Sequence, residues 1–228
     1  SVPENGDTNY YNVTEHYYIR YGTERMYLLD FARDMKSVFQ PKNSVYVNNK
    51  LIFGITDEEI PLMESEDGNI FAFVKENRLF SMNLTDNKMA LLFGFYDDEH
   101  RDLRDLNRNS DIRIISVDET GNVRFLVYGY MNRGSHEGGV GVTCYYYNSM
   151  LNTIEEEIYI PYNGSAGLIK KSVEELAYVN NDNFLYLILD GTIYKVDLVQ
   201  KSYEILVENL LYGSYKVSGS NRMLVWQD

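Results

Sequence analysis

The chain has 228 residues, of which 44% are apolar and 14% aromatic, and its formal net charge is −13. This length and apolar content suffice for a substantial core, which argues against a disordered chain. The negative charge opposes the counterion release that dominates nucleic-acid affinity, so we exclude DNA and RNA as partners. No run of about 18 apolar residues occurs, and the sequence therefore predicts no transmembrane segment.

The N-terminal region, residues 1–15, is polar and rich in turn-forming residues. It lacks the basic and then apolar layout of a signal peptide. We expect a flexible segment at the start of a mature chain that has already lost an export signal or anchor. That expectation places the protein outside the cytoplasm of a bacterium, secreted or at the cell surface. Residues 16–228 are expected to form a single domain.

Further along the chain, short apolar runs alternate with clusters of Asn, Asp and Gly, and a 3.6-residue periodicity is nearly absent. The chain contains 21 Tyr, and tyrosine with Val, Ile and Phe favours half-buried strands. The strands that this pattern predicts cover residues 45–53, 69–75, 78–84, 89–95, 112–117, 123–130, 140–147, 154–160, 184–189, 192–198, 203–207 and 223–226. The region at 170–180 is predicted to contain a single helical turn. The class is therefore all-β.

Two segments, 69–93 and 183–207, align with each other without a gap. Each predicts a strand, a tight turn and a second strand that ends in Asn83 or Asp197 followed by Leu. Four turn residues and a third strand complete the unit in both segments. The matching apolar positions make this an internal repeat.

A third and weaker copy covers residues 144–156 when Asn152 is set against Asn87. In this copy the inner hairpin loop is lengthened into a glycine-rich stretch. Antiparallel repeats with a period of about 40 to 50 residues are typical of propeller blades, whereas helical solenoids would need helices. The repeat counts against a β-sandwich, which is the alternative fold.

The repeated motif, carried by the segments 69–93 and 183–207, resembles the blades of bacterial propellers of the tricorn and TolB kind over residues 45–228. The resemblance implies a propeller-like array, either closed in one chain or incomplete. About 16 to 18 strands, at four per blade, give about four to five antiparallel blades. No Gly-His and Trp-Asp pair of WD40 blades is present, and the resemblance identifies no functional residue.

The stretch at 128–147 holds five of the sixteen glycines, one of the three histidines and the only cysteine. Its centre, MNRGSHEGG, is a long hairpin tip between two predicted strands. It lacks the second histidine of a zincin motif, the third glycine of a dinucleotide loop and the Lys-Ser of a P-loop. Because loops on a rigid scaffold commonly carry binding residues, we predict Tyr130, Arg133, His136 and Glu137 as a binding site, with an ordinary loop as the alternative.

Asp97, Asp98 and Glu99 form an acidic run directly before a histidine. Carboxylate oxygens suit a hard cation, so calcium is the one cofactor that we weigh, and a solvated charge run is the alternative. The run lacks the glycine and the terminal Glu of an EF-hand loop. A single cysteine excludes an internal disulfide, and Cys144 lies in a predicted strand, where we expect a small buried apolar side chain.

No catalytic signature is strong enough to name a reaction, and each of the three histidines lies in a polar stretch without an evident triad. We therefore predict no catalytic residue and favour a non-catalytic binding or scaffold module of the bacterial cell envelope. Its partner would be a protein or an envelope glycan, contacted through the rim loops at 96–110 and 131–139. The alternative is a carbohydrate-active hydrolase, which requires two carboxylates about 5 to 10 Å apart in the central channel.

Overall fold

The computed structural model describes residues 2–4, 7–38, 46–47, 50–51, 60–95, 102, 104, 107, 109–211, 213–218 and 223–226. The chain divides into two compact units, Ser1–Ile60 and Pro61–Asp228. The predicted division into residues 1–15 and 16–228 stays a prediction. Among the described residues, no helix is long and apolar enough to span a membrane.

The first unit contains antiparallel strands only, in the part that the structure describes. Their bounds are Val2–Glu4 (β1), Asp7–Tyr21 (β2), Met26–Val38 (β3), Tyr46–Val47 (β4) and Lys50–Leu51 (β5). β1, β2 and β3 form one sheet in that order, and β4 pairs with β5. The predicted strands began at residue 45 and missed β2 and β3, because their apolar residues are interrupted by charged ones at irregular spacing.

The second unit contains three four-stranded sheets, each a meander in chain order. The first blade has β6 (Leu62–Glu64), β7 (Ile70–Lys75), β8 (Arg78–Asn83) and β9 (Lys88–Gly94). The second has β10 (Ser110–Val117), β11 (Val123–Tyr130), β12 (Val140–Asn148) and β13 (Thr153–Pro161). The third has β14 (Ala177–Val179), β15 (Phe184–Leu189), β16 (Thr192–Asp197) and β17 (Ser202–Val207). A two-stranded sheet follows, formed by β18 (Tyr215–Val217) and β19 (Leu224–Trp226).

The three blades pack face to face, as β11 of the second blade shows. Phe125 and Val127 lie in one buried cluster with residues of the first blade, whereas Leu126 lies in another with residues of the third blade. Since successive side chains of a strand point to opposite faces, β11 is buried on both sides, and its sequence is apolar apart from Arg124 and Gly129. Four-stranded meanders stacked in this way form a propeller-like array, which confirms the predicted fold class.

A helix, α1 (Ala166–Glu175), connects the second blade to the third. Its buried residues Ile169 and Val173 are four positions apart, so they lie on one face, and both join the cluster between these blades. The sequence predicted only a single turn in this region. That prediction was too short, because only two positions of the helix are buried and the apolar signal is correspondingly weak.

The predicted repeat is confirmed in backbone detail. Each blade carries a bulge in the pairing of its third strand: at Leu79/Phe80, Cys144/Tyr145 and Ile193/Tyr194. Each also has a residue with positive φ in the turn to its fourth strand: Asn87 (52°), Asn152 (51°) and Lys201 (52°). The alignment of Asn152 with Asn87 therefore matches equivalent positions of two blades.

Candidate binding site

The loop at 131–139 connects β11 to β12 in the second blade. Strand direction alternates along a meander, so this loop lies at the end of the blade where the chain enters from β9 and leaves towards α1. The two loops predicted to contact a partner thus share one end of the blade. Residues 96–101, 103, 105, 106 and 108 lie outside the described residues.

The 131–139 loop is shaped by hydrogen bonds of its own backbone. The Met131 amide donates to the Gly139 carbonyl, and the Gly138 amide donates back to the Met131 carbonyl, each at 2.9 Å. The Gly139 amide also donates to the His136 carbonyl, at 3.0 Å. These bonds define a compact turn structure rather than an open hairpin tip.

Asn132 connects this loop to the preceding one. Its side chain is buried, with 2% of its surface exposed, and its Nδ2 donates to the carbonyls of Arg104 (3.2 Å) and Asn107 (2.8 Å). Its Oδ1 is buried and has no hydrogen-bond donor among the described residues. A buried amide that satisfies two backbone carbonyls holds the two segments in a fixed relation.

Ion pairs reinforce the same connection. Arg104 Nη1 lies 2.8 Å from Glu137 Oε1, and Arg133 Nη2 lies 3.2 Å from Asp102 Oδ1. Arg133 Nε also donates to the carbonyl of Phe95, at 3.1 Å. Hydrogen bonds from Arg104 lower the pKa of Asp102 from 3.8 to about 2. Arg104, Asp102 and Glu137 are each exposed by a little under half, so the pairs contribute orientation more than stability.

His136 is anchored on the fourth strand of the blade. Its Nε2 lies 2.8 Å from Glu156 Oε1, and its ring stacks on Tyr159 with centroids 3.8 Å apart and planes 11° apart. The Tyr159 hydroxyl donates to the Val140 carbonyl at 3.2 Å. The imidazole of His136 is therefore held by the carboxylate of Glu156 and by the ring of Tyr159.

The predicted binding residues all lie in or beside this loop. Tyr130 ends β11 opposite Val140, and its amide donates to the Asn109 carbonyl at 2.9 Å. Arg133, His136 and Glu137 contact other segments of the blade end, as described above. Whether a ligand contacts them stays a prediction.

Residues that the sequence analysis did not single out complete this end of the blade: Asp102, Arg104, Glu156 and Tyr159. No local motif marks them, because their contacts with the 131–139 loop span about 20 to 35 positions and the strand register decides which residues meet. The predicted calcium ligands Asp97, Asp98 and Glu99 lie outside the described residues. Within the part of the chain that is described, no three His, Cys, Asp or Glu side chains are grouped as a metal site.

Cys144 is buried, as predicted, and it contacts a charged pair. Its Sγ donates to Glu157 Oε2 at 3.2 Å, and burial raises the pKa of the thiol well above its ordinary value. Glu157 accepts two hydrogen bonds from Arg124, each at 2.9 Å. A neutral thiol beside a neutralised ion pair is unreactive, which agrees with a structural cysteine.

A cavity of about 380 Å³ lies where the first strands of the three blades approach each other. Its lining is Met63, Arg113, Ile114, Ile115, Ser116, Arg124, Ala177, Tyr178, Val179, Asn180 and Asn181. These described residues include two arginines and no carboxylate. The hydrolase alternative requires two carboxylates in a central channel, and the described lining of this cavity contains none.

No family model matches the chain. No curated protein matches it either. Among solved structures, it is similar to an oligogalacturonate lyase in complex with manganese, with a TM-score of 0.40 and 9% identity over 69% of this chain and 41% of that one. It is also similar to dipeptidyl peptidase 4 of Porphyromonas gingivalis, with a TM-score of 0.29 and 10% identity over 74% and 35%.

A third similar structure is the WD40 domain of SCAP from fission yeast, with a TM-score of 0.27 and 12% identity over 74% of this chain and 47% of that one. The chain thus spans less than half the length of each of these three proteins. The fold assignment rests on the sheet topology and the packing of the blades, not on these similarities.

Proposed function

We propose that this chain is a non-catalytic binding module that recognises a protein through the loop pair, defined as residues 131–139 together with Asp102, Arg104 and Asn107. The observation that carries the proposal is the attachment of the two loops by Asn132 and by the Arg104–Glu137 ion pair. Loops fixed before binding lose little conformational entropy when a partner docks.

The chemistry of the loop pair favours a protein over a glycan. Glu137 and Arg104 are each exposed by a little under half and present charges of both signs, as the polar rim of a protein interface does. A sugar would need an uncovered aromatic face, but the ring of Tyr159 is covered on one side by His136. Exposed Gly134 and Ser135 form the tip and leave room for a close approach of a partner backbone.

The proposal includes a location at the bacterial cell surface and a relation to tricorn-type or TolB-type blades. Its supports are the Tyr-rich composition and the repeated blade motif. The hydrolase alternative gains no support from the cavity, where the described lining is cationic.

A bulky residue at the tip tests the proposal. Ser135→Trp should weaken binding to a partner purified from bacterial surface extract by about tenfold or more, equivalent to about 1.4 kcal/mol. The matched control is Met150→Trp, since Met150 is 90% exposed on the turn from β12 to β13 at the opposite end of the same blade. Surface plasmon resonance with both variants gives the comparison.

Three results would contradict the proposal: equal affinities of Ser135→Trp and wild type, an equal loss in Met150→Trp, or binding to a glycan array and to no protein. Thermal melting of both variants accompanies the assay, so that loss of folding is not mistaken for loss of contact.

A further inference from the structure

We propose that the cavity between the first strands of the blades binds a small molecule through an oxyanion group, a carboxylate or a sulfate-like group, held by Arg113. This site is separate from the loop pair and does not depend on its function. Its volume of about 380 Å³ is in the range of pockets for small ligands, about 300 to 1,000 Å³.

Arg113 is a cation without a carboxylate partner. Its Nη1 donates to the carbonyls of Val173 and Glu174, the latter at 3.2 Å, near the C-terminal end of α1. These carbonyls carry only the partial negative charge of a helix C-terminus. Among the described residues, no carboxylate lies within ion-pair distance of Arg113 and no acceptor contacts its Nε or Nη2. A partly buried guanidinium with free donors is a natural partner for an oxyanion.

Burial lowers the pKa of Arg113, while Tyr128 and Glu174 act in the opposite direction through their charges. The lowered pKa shows that the protein groups around Arg113 do not fully compensate for the hydration that its guanidinium loses on burial. An anionic ligand in the cavity would supply the missing compensation, because opposite charges stabilise each other strongly where water is excluded.

Arg124, the second arginine of the cavity, stands on the same face of the sheet. Arg113 pairs with Leu126 across the sheet, and Arg124 is two positions from Leu126, so both arginines point towards the third blade. Arg124 is already neutralised by Glu157 and lies over the ring of Tyr146. Of the two guanidinium charges, only that of Arg113 is left for a ligand.

The remaining lining of the cavity provides neutral hydrogen-bonding groups together with aliphatic side chains. Asn180 uses its Oδ1 to accept the amides of Asp182 and Phe184. Its Nδ2 has no acceptor among the described residues and can donate to a ligand. Asn181, Ser116 and Tyr178 add further polar groups. A lining that combines a cation, several hydrogen-bonding groups and aliphatic side chains fits a compact acid with hydroxyl groups better than a long or strongly apolar ligand.

The test uses glucuronate and sulfate as probes and glucose as the neutral counterpart of glucuronate. Thermal melting and calorimetric titration at constant ionic strength should show that at least one anion stabilises the protein at about 10 mM by mass action, while glucose does not. Arg113→Gln should raise the dissociation constant at least tenfold. The matched control is Lys195→Gln, which removes a half-buried cation of β16 that pairs with Glu204 and does not line the cavity, and it should bind as wild type does.

Stabilisation by glucuronate alone supports a carboxylate ligand, and stabilisation by both anions supports a general oxyanion site. The proposal is overturned if neither anion binds, if glucose binds equally well, or if Arg113→Gln retains the full response. Should Arg113→Gln fail to fold, the Nε resonance of Arg113 in the wild-type protein provides the readout, and no shift on titration with either anion overturns the proposal. Ser135→Trp should leave anion binding intact, which separates this site from the loop pair.

Discussion

The connection between the second and third strands differs among the three blades. In the first and third blades it is a two-residue turn, Glu76–Asn77 or Asp190–Gly191, and all four residues have positive φ, between 48° and 73°. Such turns match the twist of the strands that they join. In the second blade the same connection is the loop at 131–139, with its own internal hydrogen bonds.

The rest of the blade is nearly constant, which makes this difference informative. Bulges and positive-φ turn residues recur at equivalent positions in all three blades. Two residues therefore suffice to connect these strands, and folding of the meander does not require a loop of this length. We infer that the additional residues serve the surface at this end of the blade rather than the sheet.

The largest loss of stability is expected from substitution of Gly129, the glycine that precedes the 131–139 loop. Gly129 has φ 111°, and a Cβ there would lie 2.3 Å from the Asn109 carbonyl oxygen. We expect Gly129→Val to lower the free energy of unfolding by about 3 kcal/mol, because backbone atoms cannot yield as a flexible side chain would. Urea denaturation measures the loss.

Gly134→Val is the matched control for this substitution. Gly134 also has a positive φ, 93°, but a Cβ there meets nothing within 4 Å. Only the conformational strain remains, and we expect a loss of about 1 kcal/mol. Equal losses at the two glycines would show that the close approach of Gly129 to the preceding segment does not matter.

Asn132→Ala removes the side-chain hydrogen bonds that join the 131–139 loop to the segment before β10. The substitution leaves the carbonyls of Arg104 and Asn107 without their donor, and we expect a loss of about 2 kcal/mol in unfolding free energy. Ser135→Ala, at the exposed tip, should change stability by less than about 0.5 kcal/mol. If both substitutions cost equally little in chemical denaturation, the two loops are not held by Asn132.

The repeated blade could be predicted from sequence because its determinants are local. Asn87 and Asn152 align since each turn requires a left-handed residue that closes a short loop, and Asn tolerates that conformation. Cys144 could be predicted as buried from the apolar strand around it. The pattern of neighbouring residues was sufficient in these cases.

The candidate sites depend on contacts between distant residues and could be predicted only in part. A bulge shifts the register between β12 and β13, and Tyr145 is therefore opposite Glu156 while Cys144 is opposite Ile158. With this register Glu156 contacts His136, whereas Glu157 contacts Arg124. No sequence period specifies a bulge of this kind. The contacts of Arg113 were missed for a similar reason, since its partners belong to a helix about 60 positions further along.

The smallest expected effect on stability is that of Asp102→Asn, and it is tested by measuring melting temperature as a function of pH. Hydrogen bonds from Arg104 lower the pKa of its carboxyl to about 2, below the ordinary 3.8. The stabilisation by this carboxylate is therefore complete above about pH 4 and is lost as the pH falls through about 2. We expect Asp102→Asn to melt slightly below wild type at pH 6, and the difference to vanish towards pH 2.

The matched control is Glu119→Gln, which removes a carboxylate from the exposed turn between β10 and β11, at the other end of the same blade. Its melting temperature should not differ from wild type in this pH-dependent way. A difference between Asp102→Asn and wild type that stays constant from pH 6 to pH 2 would mean that the carboxylate charge does not hold the loops together. The neutral contacts of Asn132 would then be the main connection, and the loop pair would keep its geometry in acid.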